Sequence, residues 1–225
     1  MTLNEIASAI RNHISDGLSG AVANYSYSIE QLEAEITLMR NKLLFERARQ
    51  GKVNLKQYYQ TYPGVILEPA DISASPVLTA YKRALGFSSP RILSTINDNY
   101  EVVLIHTIDN ERTFKVYRTI DYRDHKYRQK TKRAPFVYLD TSTNAEGTVK
   151  GWLMNTGSYE SIRAITIQAV FADPMDVPGF NGDSEYPAPL ESQNDIIAAL
   201  TAQYVQYYRQ MNIVQRPNTQ TDPVL

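Results

Sequence analysis

A long amphipathic helix, predicted for residues 28–51, limits the fold more than any other feature of the sequence. Ser28 and Gln31 have capping-box spacing, acidic side chains follow the cap, and basic side chains precede Gly51. The apolar positions of one face are Ile29, Leu32, Ile36, Met39 and Leu43. A helix of about 22 residues is roughly 33 Å long. Its stripe therefore needs extensive packing partners, either in the chain's own core or on a neighbouring subunit.

Two further segments carry helical periodicity. Thr2 and Glu5 form another capping box, and the helix that they begin is expected to end near residue 16. Its apolar positions are Leu3, Ile6, Ala7, Ile10 and Ile14. Pro189 suits the first position of a third helix. The apolar face of that helix carries Ile196, Ile197, Leu200, Tyr204, Tyr207, Tyr208 and Met211. Packing of the three helices together would bury all three stripes.

Between the second and third helices the hydrophobic period changes to two, which is typical of strands. The segments with this pattern are Tyr100–Ile108, Thr113–Ile120, Phe136–Asp140, Thr148–Leu153 and Ile162–Phe171. Asp109-Asn110 and residues 144–147 have the composition of hairpin turns, so we expect mainly antiparallel pairing. Proline-containing breakers interrupt residues 53–90, where a short helix is predicted over Val77–Leu85.

The predicted fold class is α+β, with a helical body, an inserted and mainly antiparallel β lobe, and an extended C-terminal tail. The helical body is formed by the two N-terminal helices and the C-terminal helix, in residues 1–90 and 188–213. The inserted β lobe comprises residues 98–172. Residues 173–187 form a Pro/Gly-rich connector, and residues 214–225 form the tail.

The sequence lacks the residues of common active sites. The chain has no cysteine, which excludes disulfides, thiolate metal sites and cysteine nucleophiles. It has no nucleophile-elbow, phosphate-loop, dinucleotide or zinc-protease motif. His13, His106 and His125 do not have metal-ligand spacing. We therefore predict no catalytic residue, no metal site and no cofactor, so that the protein is not an enzyme.

The charge pattern limits the possible partners. The net charge of −1 argues against a general polyanion binder, so a polyanion would have to meet a local patch. One acidic group lacks EF-hand spacing and is interrupted by prolines, which favours a stiff solvated loop over a calcium site: Asp173, Asp176, Asp183 and Glu185. No apolar run approaches the roughly 18 residues of a membrane span, and no signal peptide is recognisable, so no membrane partner is expected.

One basic segment is the candidate partner-facing or DNA-facing site. It contains Arg118, Arg123, Lys126, Arg128, Lys130, Lys132 and Arg133. In an extended chain, positions 126, 128, 130 and 132 share one face. That face would suit phosphates or an acidic protein surface. It would equally suit a solvated hairpin tip whose like charges protect a sheet edge. The sequence leaves all three interpretations open.

The C-terminal tail is a candidate inter-subunit segment. Its candidate contact residues are Arg216, Pro217, Pro223, Val224 and Leu225. Two apolar side chains at its end bury too little surface to stabilise the body. The prolines keep such a segment extended and reduce the entropy that it loses on docking. The 16 tyrosines of the chain suit subunit interfaces and half-buried strand positions about equally.

The order of these elements resembles the head–tail adaptor proteins of short-tailed bacteriophages. The segments Met1–Ala7, Ser28–Gln31 and Arg40–Leu44 are also similar to virion proteins of Bacteroidetes phages, including crAss-like phages. At the level of residues the resemblance is confined to roughly the first 50 positions. The rest of the chain is similar only in layout.

The resemblance implies a structural virion protein that assembles in the host cytoplasm. It would be a subunit of a dodecameric ring in the head–tail connector, linking the portal protein to the next tail or ring protein. The helical body would form the ring wall around the DNA channel, and genomic DNA would pass without sequence-specific contacts. The alternatives are a polyanion-binding or protein-binding module that uses residues 118–133, or another structural component of the virion.

Overall fold

The computed structural model of the chain describes residues 1–17, 28–70, 84–93, 103–118, 135–140, 148–154 and 162–214. The chain forms two compact units. The first, which we call the helical unit, comprises Met1–Leu44 and Gly182–Leu225. The second, the sheet unit, comprises Phe45–Asn181 and is the larger of the two.

The described residues contain three α-helices: α1 (Leu3–Gly17), α2 (Ile29–Arg49) and α3 (Leu190–Val214). α1 and α3 come from distant parts of the chain and pack together in the helical unit, as their apolar stripes predict. The buried side chains of the two helices include Leu3, Ile6, Ile10 and Ile14 on α1, and Ile196, Leu200, Tyr204 and Tyr208 on α3. Within the described ranges, no helix has the length and apolar character that a membrane span requires.

The local signals at the helix ends are confirmed. The Thr2 backbone N–H donates to Glu5 Oε2 at 2.9 Å, and the Glu5 backbone N–H donates to Thr2 Oγ1 at 3.1 Å. This is the reciprocal pair of a capping box. The Gln31 backbone N–H donates to Ser28 Oγ at 3.1 Å at the start of α2. Gly51 ends α2 with a φ of 68°, a conformation that glycine adopts without steric cost.

Eight strands form one mixed sheet in the sheet unit. They are β1 (Gln60–Ile66), β2 (Glu68–Pro69), β3 (Ala84–Pro90), β4 (Val103–Thr107), β5 (Thr113–Arg118), β6 (Phe136–Asp140), β7 (Thr148–Met154) and β8 (Ala164–Ala169). The strand order is β1-β8-β4-β5-β6-β7-β3-β2. β1 and β3 also contact each other, so the sheet is nearly closed and barrel-like.

The predicted fold class, a helical body with an inserted and mainly antiparallel β lobe, is wrong. The fold is mainly sheet, because the eight-stranded sheet and its connections form the larger unit and not a lobe. Three of its strands, β1 to β3, lie within residues 60–90, which we had assigned to the helical body. Ala84 and Leu85, at the end of the predicted short helix, begin β3. The remaining residues of that predicted helix, 77–83, lie outside the described residues.

Proline and glycine concealed the first strand. Tyr62-Pro63-Gly64 lies inside β1, where the register against β8 shifts between Tyr62 and Val65. β1 is at the end of the strand order, and an edge strand tolerates proline at such a bulge. A breaker in the sequence is therefore a strand irregularity in the structure.

The pairing of β5 with β6 is parallel, whereas the other strand pairs are antiparallel. The predicted hairpin between β4 and β5 is confirmed, with Ile105 opposite Phe114 and His106 opposite Thr113. Tyr138 of β6 stacks on Trp152 of β7 with ring centroids 5.7 Å apart. Ala84, Phe136, Tyr138 and Met154 form a buried cluster on this part of the sheet.

Candidate functional site

The structure describes little of the two sites that the sequence suggested. In the basic segment, Arg118 is the last residue of β5, whereas Arg123, Lys126, Arg128, Lys130, Lys132 and Arg133 lie outside the described residues. The tail residues Arg216, Pro217, Pro223, Val224 and Leu225 also lie outside them. Both sites therefore stay predictions.

One interpretation of the basic segment changes. β5 and β6 are parallel, with Lys115 opposite Phe136 and Arg118 opposite Leu139. The end of β5 and the beginning of β6 thus lie at opposite ends of the strand pair. A hairpin joins antiparallel strands only. The interpretation of residues 118–133 as a hairpin tip is therefore wrong.

The histidines and acidic residues form no metal site within the described ranges. No group of three or more His, Asp or Glu side chains there could hold a metal ion. His13 is exposed on α1, the His106 ring Nδ1 lies 3.1 Å from the Thr107 carbonyl oxygen, and His125 is outside the described residues. The buried histidine therefore has a backbone partner.

The acidic residues that follow β8 have local structural roles instead. In the sheet unit, Asp173 Oδ1 accepts from the Met175 backbone N–H at 2.9 Å. Partial burial raises the pKa of Asp176, and the negative charge of Asp173 raises it further. In the helical unit, Asp183 Oδ1 accepts from Asn4 Nδ2 at 2.7 Å. Each contact stabilises a turn or a chain crossing.

The beginning of the chain is held by the segment that precedes α3. The Tyr186 backbone N–H donates to the Met1 carbonyl at 3.0 Å, and the Asn4 backbone N–H donates to the Gly182 carbonyl at 3.1 Å. Thr2 forms an isolated antiparallel bridge in the same region. A Cβ on Gly182 would lie 2.9 Å from the Asn4 side-chain amide, so the two segments approach closely. This pairing fixes the entry to α1.

The buried face of α2 contains an arginine. Residues spaced by four along the helix form this face: Leu32, Ile36, Arg40, Leu44 and Ala48. Met39 and Leu43 of the predicted stripe are only half-buried, and Ile29 is exposed. The stripe therefore follows a ridge of i+4 spacing instead of the alternating spacing that we predicted.

Arg40 is fully buried and links α2 to the chain before α3. Its Nε donates to the Pro187 carbonyl at 3.0 Å, and its Nη1 donates to Asn41 Oδ1 at 2.9 Å. A buried guanidinium is costly unless its donors are satisfied. The planar group with several donors suits this task better than a lysine would. The sequence signal was the spacing of four residues from both Ile36 and Leu44, but we had assigned Arg40 to the helix dipole.

A second polar group is buried where α2 and α3 meet. Burial raises the pKa of the Tyr204 hydroxyl, and hydrogen bonding and the negative charge of Glu35 raise it further. The phenol therefore stays neutral at physiological pH. Tyr204 also stacks on Tyr208 along α3, with ring centroids 6.4 Å apart. These contacts join the helices, and they include no nucleophile paired with a base.

The turn between β4 and β5 is held by side chains. Asp109 Oδ1 accepts from the Thr107 hydroxyl and, at 3.1 Å, from the Glu111 backbone N–H. Asn110 has a φ of 60°, which asparagine tolerates in turns. Ile108 is exposed at the tip of this turn. The hydrogen bond from Thr107 is the main reason that the pKa of Asp109 lies below its usual value.

Thr107→Val is expected to raise the pKa of Asp109 toward its usual value, because valine cannot donate to the carboxylate. The pKa can be followed by ¹³C NMR of the carboxyl group. Arg112→Gln is the control and should cause a smaller rise, since the charge of Arg112 is the weakest of the causes. A depressed carboxyl pKa stabilises the folded chain above the unfolded pKa, and this contribution is lost as the pH falls through the folded pKa. An equal response to both substitutions would contradict the prediction.

Comparisons with known proteins add no assignment. A scan against protein-family models finds no match, and a search of curated protein sequences finds no match either. Any proposal about function therefore depends on the residues and the fold of the chain itself.

Proposed function

We propose that this chain is a structural virion protein, a subunit of an oligomeric ring in a phage head–tail connector. In this role it links the portal to the tail around the DNA channel. The observation that carries the proposal is the order of elements: α1, α2, the strands β1 to β8, and α3. That order accompanies the resemblance of the first 50 residues to phage virion proteins. The support is for a role and not for the helical ring wall that the resemblance implied.

The described polar contacts favour a structural role over catalysis. Arg40 binds a carbonyl of its own chain, and Asn4 binds the carboxylate of Asp183. Glu35 and Tyr204 interact across two helices. Each of these groups is used to join segments of the chain. We therefore also propose that the protein is not an enzyme.

A closed ring of many copies is the expected state of the assembled protein. Closed cyclic symmetry is the common outcome of a head-to-tail interface between identical subunits. Mass photometry would measure the number of subunits, and class averages from electron microscopy would give the symmetry. The measurement uses the full chain alone and then with a portal protein. A monomer under both conditions would overturn the proposal.

A chain that ends at Ile213 provides the second arm of this experiment. We expect its thermal stability to equal that of the full chain, because residues 216–225 contribute little apolar surface. Assembly should fall sharply if the tail joins neighbouring subunits. A shortened chain that assembles as well as the full chain would exclude the tail from the interface. A shortened chain that does not fold would place the tail in the core.

Polyanion binding by the basic segment is the alternative role. The alternation of Lys126, Arg128, Lys130 and Lys132 favours it. Such binding would weaken steeply with salt, since each neutralised phosphate releases counterions. Strong, salt-dependent DNA binding by a monomer would support this role against the ring.

A further inference from the structure

The outer face of α2 carries an apolar side chain that the helical unit does not cover. Leu38 is 68% exposed, although the opposite side of the same helix is fully packed. Ala34 and Lys42, one turn before and one turn after Leu38, are also exposed. The three residues form a ridge of i+4 spacing, which is the kind of ridge that packs against another helix. Glu30 continues the ridge toward the beginning of α2 and is exposed.

This outer ridge is complementary to itself when it is reversed. A second α2 running in the opposite direction, with Leu38 facing Leu38, places the partner's Lys42 opposite Ala34. The small alanine leaves room for the aliphatic stem of the lysine, which can cover apolar surface while its ammonium group extends further. The ammonium group then extends toward Glu30, one turn before Ala34. Each of the two copies makes this contact once, so the charge pairing occurs twice.

The remaining acidic residue of the line does not oppose this arrangement. Glu46 follows Lys42 by one turn, and reversal would set it against the partner's Glu30. Two ridges of i+4 spacing cross at about 50°. Two turns from the crossing, the helices have therefore diverged by on the order of 10 Å beyond their closest separation. The carboxylates of Glu30 and Glu46 are thus kept apart.

We propose that the outer ridge of α2 binds a second copy of this chain. In this contact the two α2 helices run antiparallel and a two-fold axis passes beside Leu38. The opposed directions of the two helix dipoles also favour antiparallel packing. The contact is isologous, so the same residues are buried on both copies.

This contact does not rest on the proposed ring. A ring uses a different, head-to-tail interface, and an isologous contact on its subunits would join two rings face to face. A single helix crossing buries less than the about 1,200 Å² of a standard interface. Pairing of two isolated chains is therefore weak, whereas pairing of two rings is strengthened by the number of contacts.

The absence of cysteine makes the contact directly testable by cross-linking. Facing Cα atoms of two crossing helices lie about 5 Å apart, which is within the span of a disulfide. Leu38→Cys in the full chain is expected to form a covalent dimer under mild oxidation. Leu190→Cys is the matched control, because Leu190 is a similarly exposed leucine, at 61%, on α3 of the same unit. The yield from Leu38→Cys should exceed the control on the order of tenfold, since pairing raises the effective thiol concentration.

The direction of the helices is tested by mixing two variants. Ala34→Cys and Lys42→Cys should cross-link to each other and not to themselves, because antiparallel packing sets position 34 against position 42. Dimers of Ala34→Cys alone would indicate parallel helices and overturn the proposal. A Leu38→Cys yield equal to that of Leu190→Cys would overturn it as well. A ring without the cross-link, or the cross-link without a ring, separates this contact from the proposed function.

Discussion

Arg40→Ala is expected to lower the free energy of unfolding of the helical unit by about 3–5 kcal/mol. Arg40 is fully buried on α2, and its Nε is 3.0 Å from the Pro187 carbonyl oxygen. Alanine would leave a cavity along the ridge between Ile36 and Leu44. It would also leave the Pro187 carbonyl without this donor. Both costs act together, because the surrounding helices cannot collapse freely into the space.

Arg40→Met separates the two contributions. Methionine fills much of the same volume but donates no hydrogen bond, so it should cost about 1–3 kcal/mol. Arg11→Ala, on the exposed side of α1, is the control and should change stability by no more than about 0.5 kcal/mol.

Urea denaturation should be followed by circular dichroism for the helices and by the fluorescence of Trp152 for the sheet unit. The two probes are needed because two compact units need not unfold in one step. A loss below about 1 kcal/mol for Arg40→Ala would contradict the structural role of this side chain.

The ends of the helices could be predicted because their signals are local. The capping box of Thr2 and Glu5 forms as the sequence indicates, and Gly51 ends α2. The predicted strand Phe136–Asp140 coincides with β6. Alternation of apolar residues over five positions is a property of one segment and needs no knowledge of its neighbours.

The arrangement of the sheet could not be predicted, because strand pairing is a property of distant segments. The parallel pairing of β5 with β6 is not encoded by either strand alone. β1 contains Pro63 and Gly64, which indicate a turn in isolation and form a bulge beside β8 in the structure. These two features changed the predicted inserted lobe into the larger unit of the fold.

The functional surfaces were predictable only in part for the same reason. An arginine among apolar residues reads as a solvated charge, and only the position of Pro187 makes Arg40 a buried link. Leu38 reads as one more apolar residue of a helix whose stripe is buried. Its exposure follows from the direction in which α2 packs. The basic segment 118–133 was visible in the sequence, yet the strands on either side determine that it is not a hairpin tip.

Gly151→Val is expected to destabilise the sheet unit severely, because the ring of Phe87 lies against Gly151. The two residues face each other across β3 and β7. A Cβ on Gly151 would lie 2.2 Å from Phe87 Cζ and within 2.7 Å of two further ring carbons. Phe87 is buried, so its ring has little space to move. The valine substitution should abolish folding of the sheet unit, and Gly151→Ala should cost about 1–3 kcal/mol. The loss for alanine corresponds to a fall in Tm of about 2–12 °C.

Gly86→Ala is the matched control from the same pair of strands. A Cβ on Gly86 would meet Ala70 and Trp152 at 3.6 Å, which is ordinary van der Waals contact. This substitution should leave stability unchanged or raise it slightly, because alanine loses less backbone entropy on folding. The Phe87→Ala and Gly151→Ala double variant should be more stable than the sum of the two single losses predicts, since removal of the ring removes the clash. Additive losses, measured by the fluorescence of Trp152, would show that the ring of Phe87 does not set the requirement for glycine at position 151.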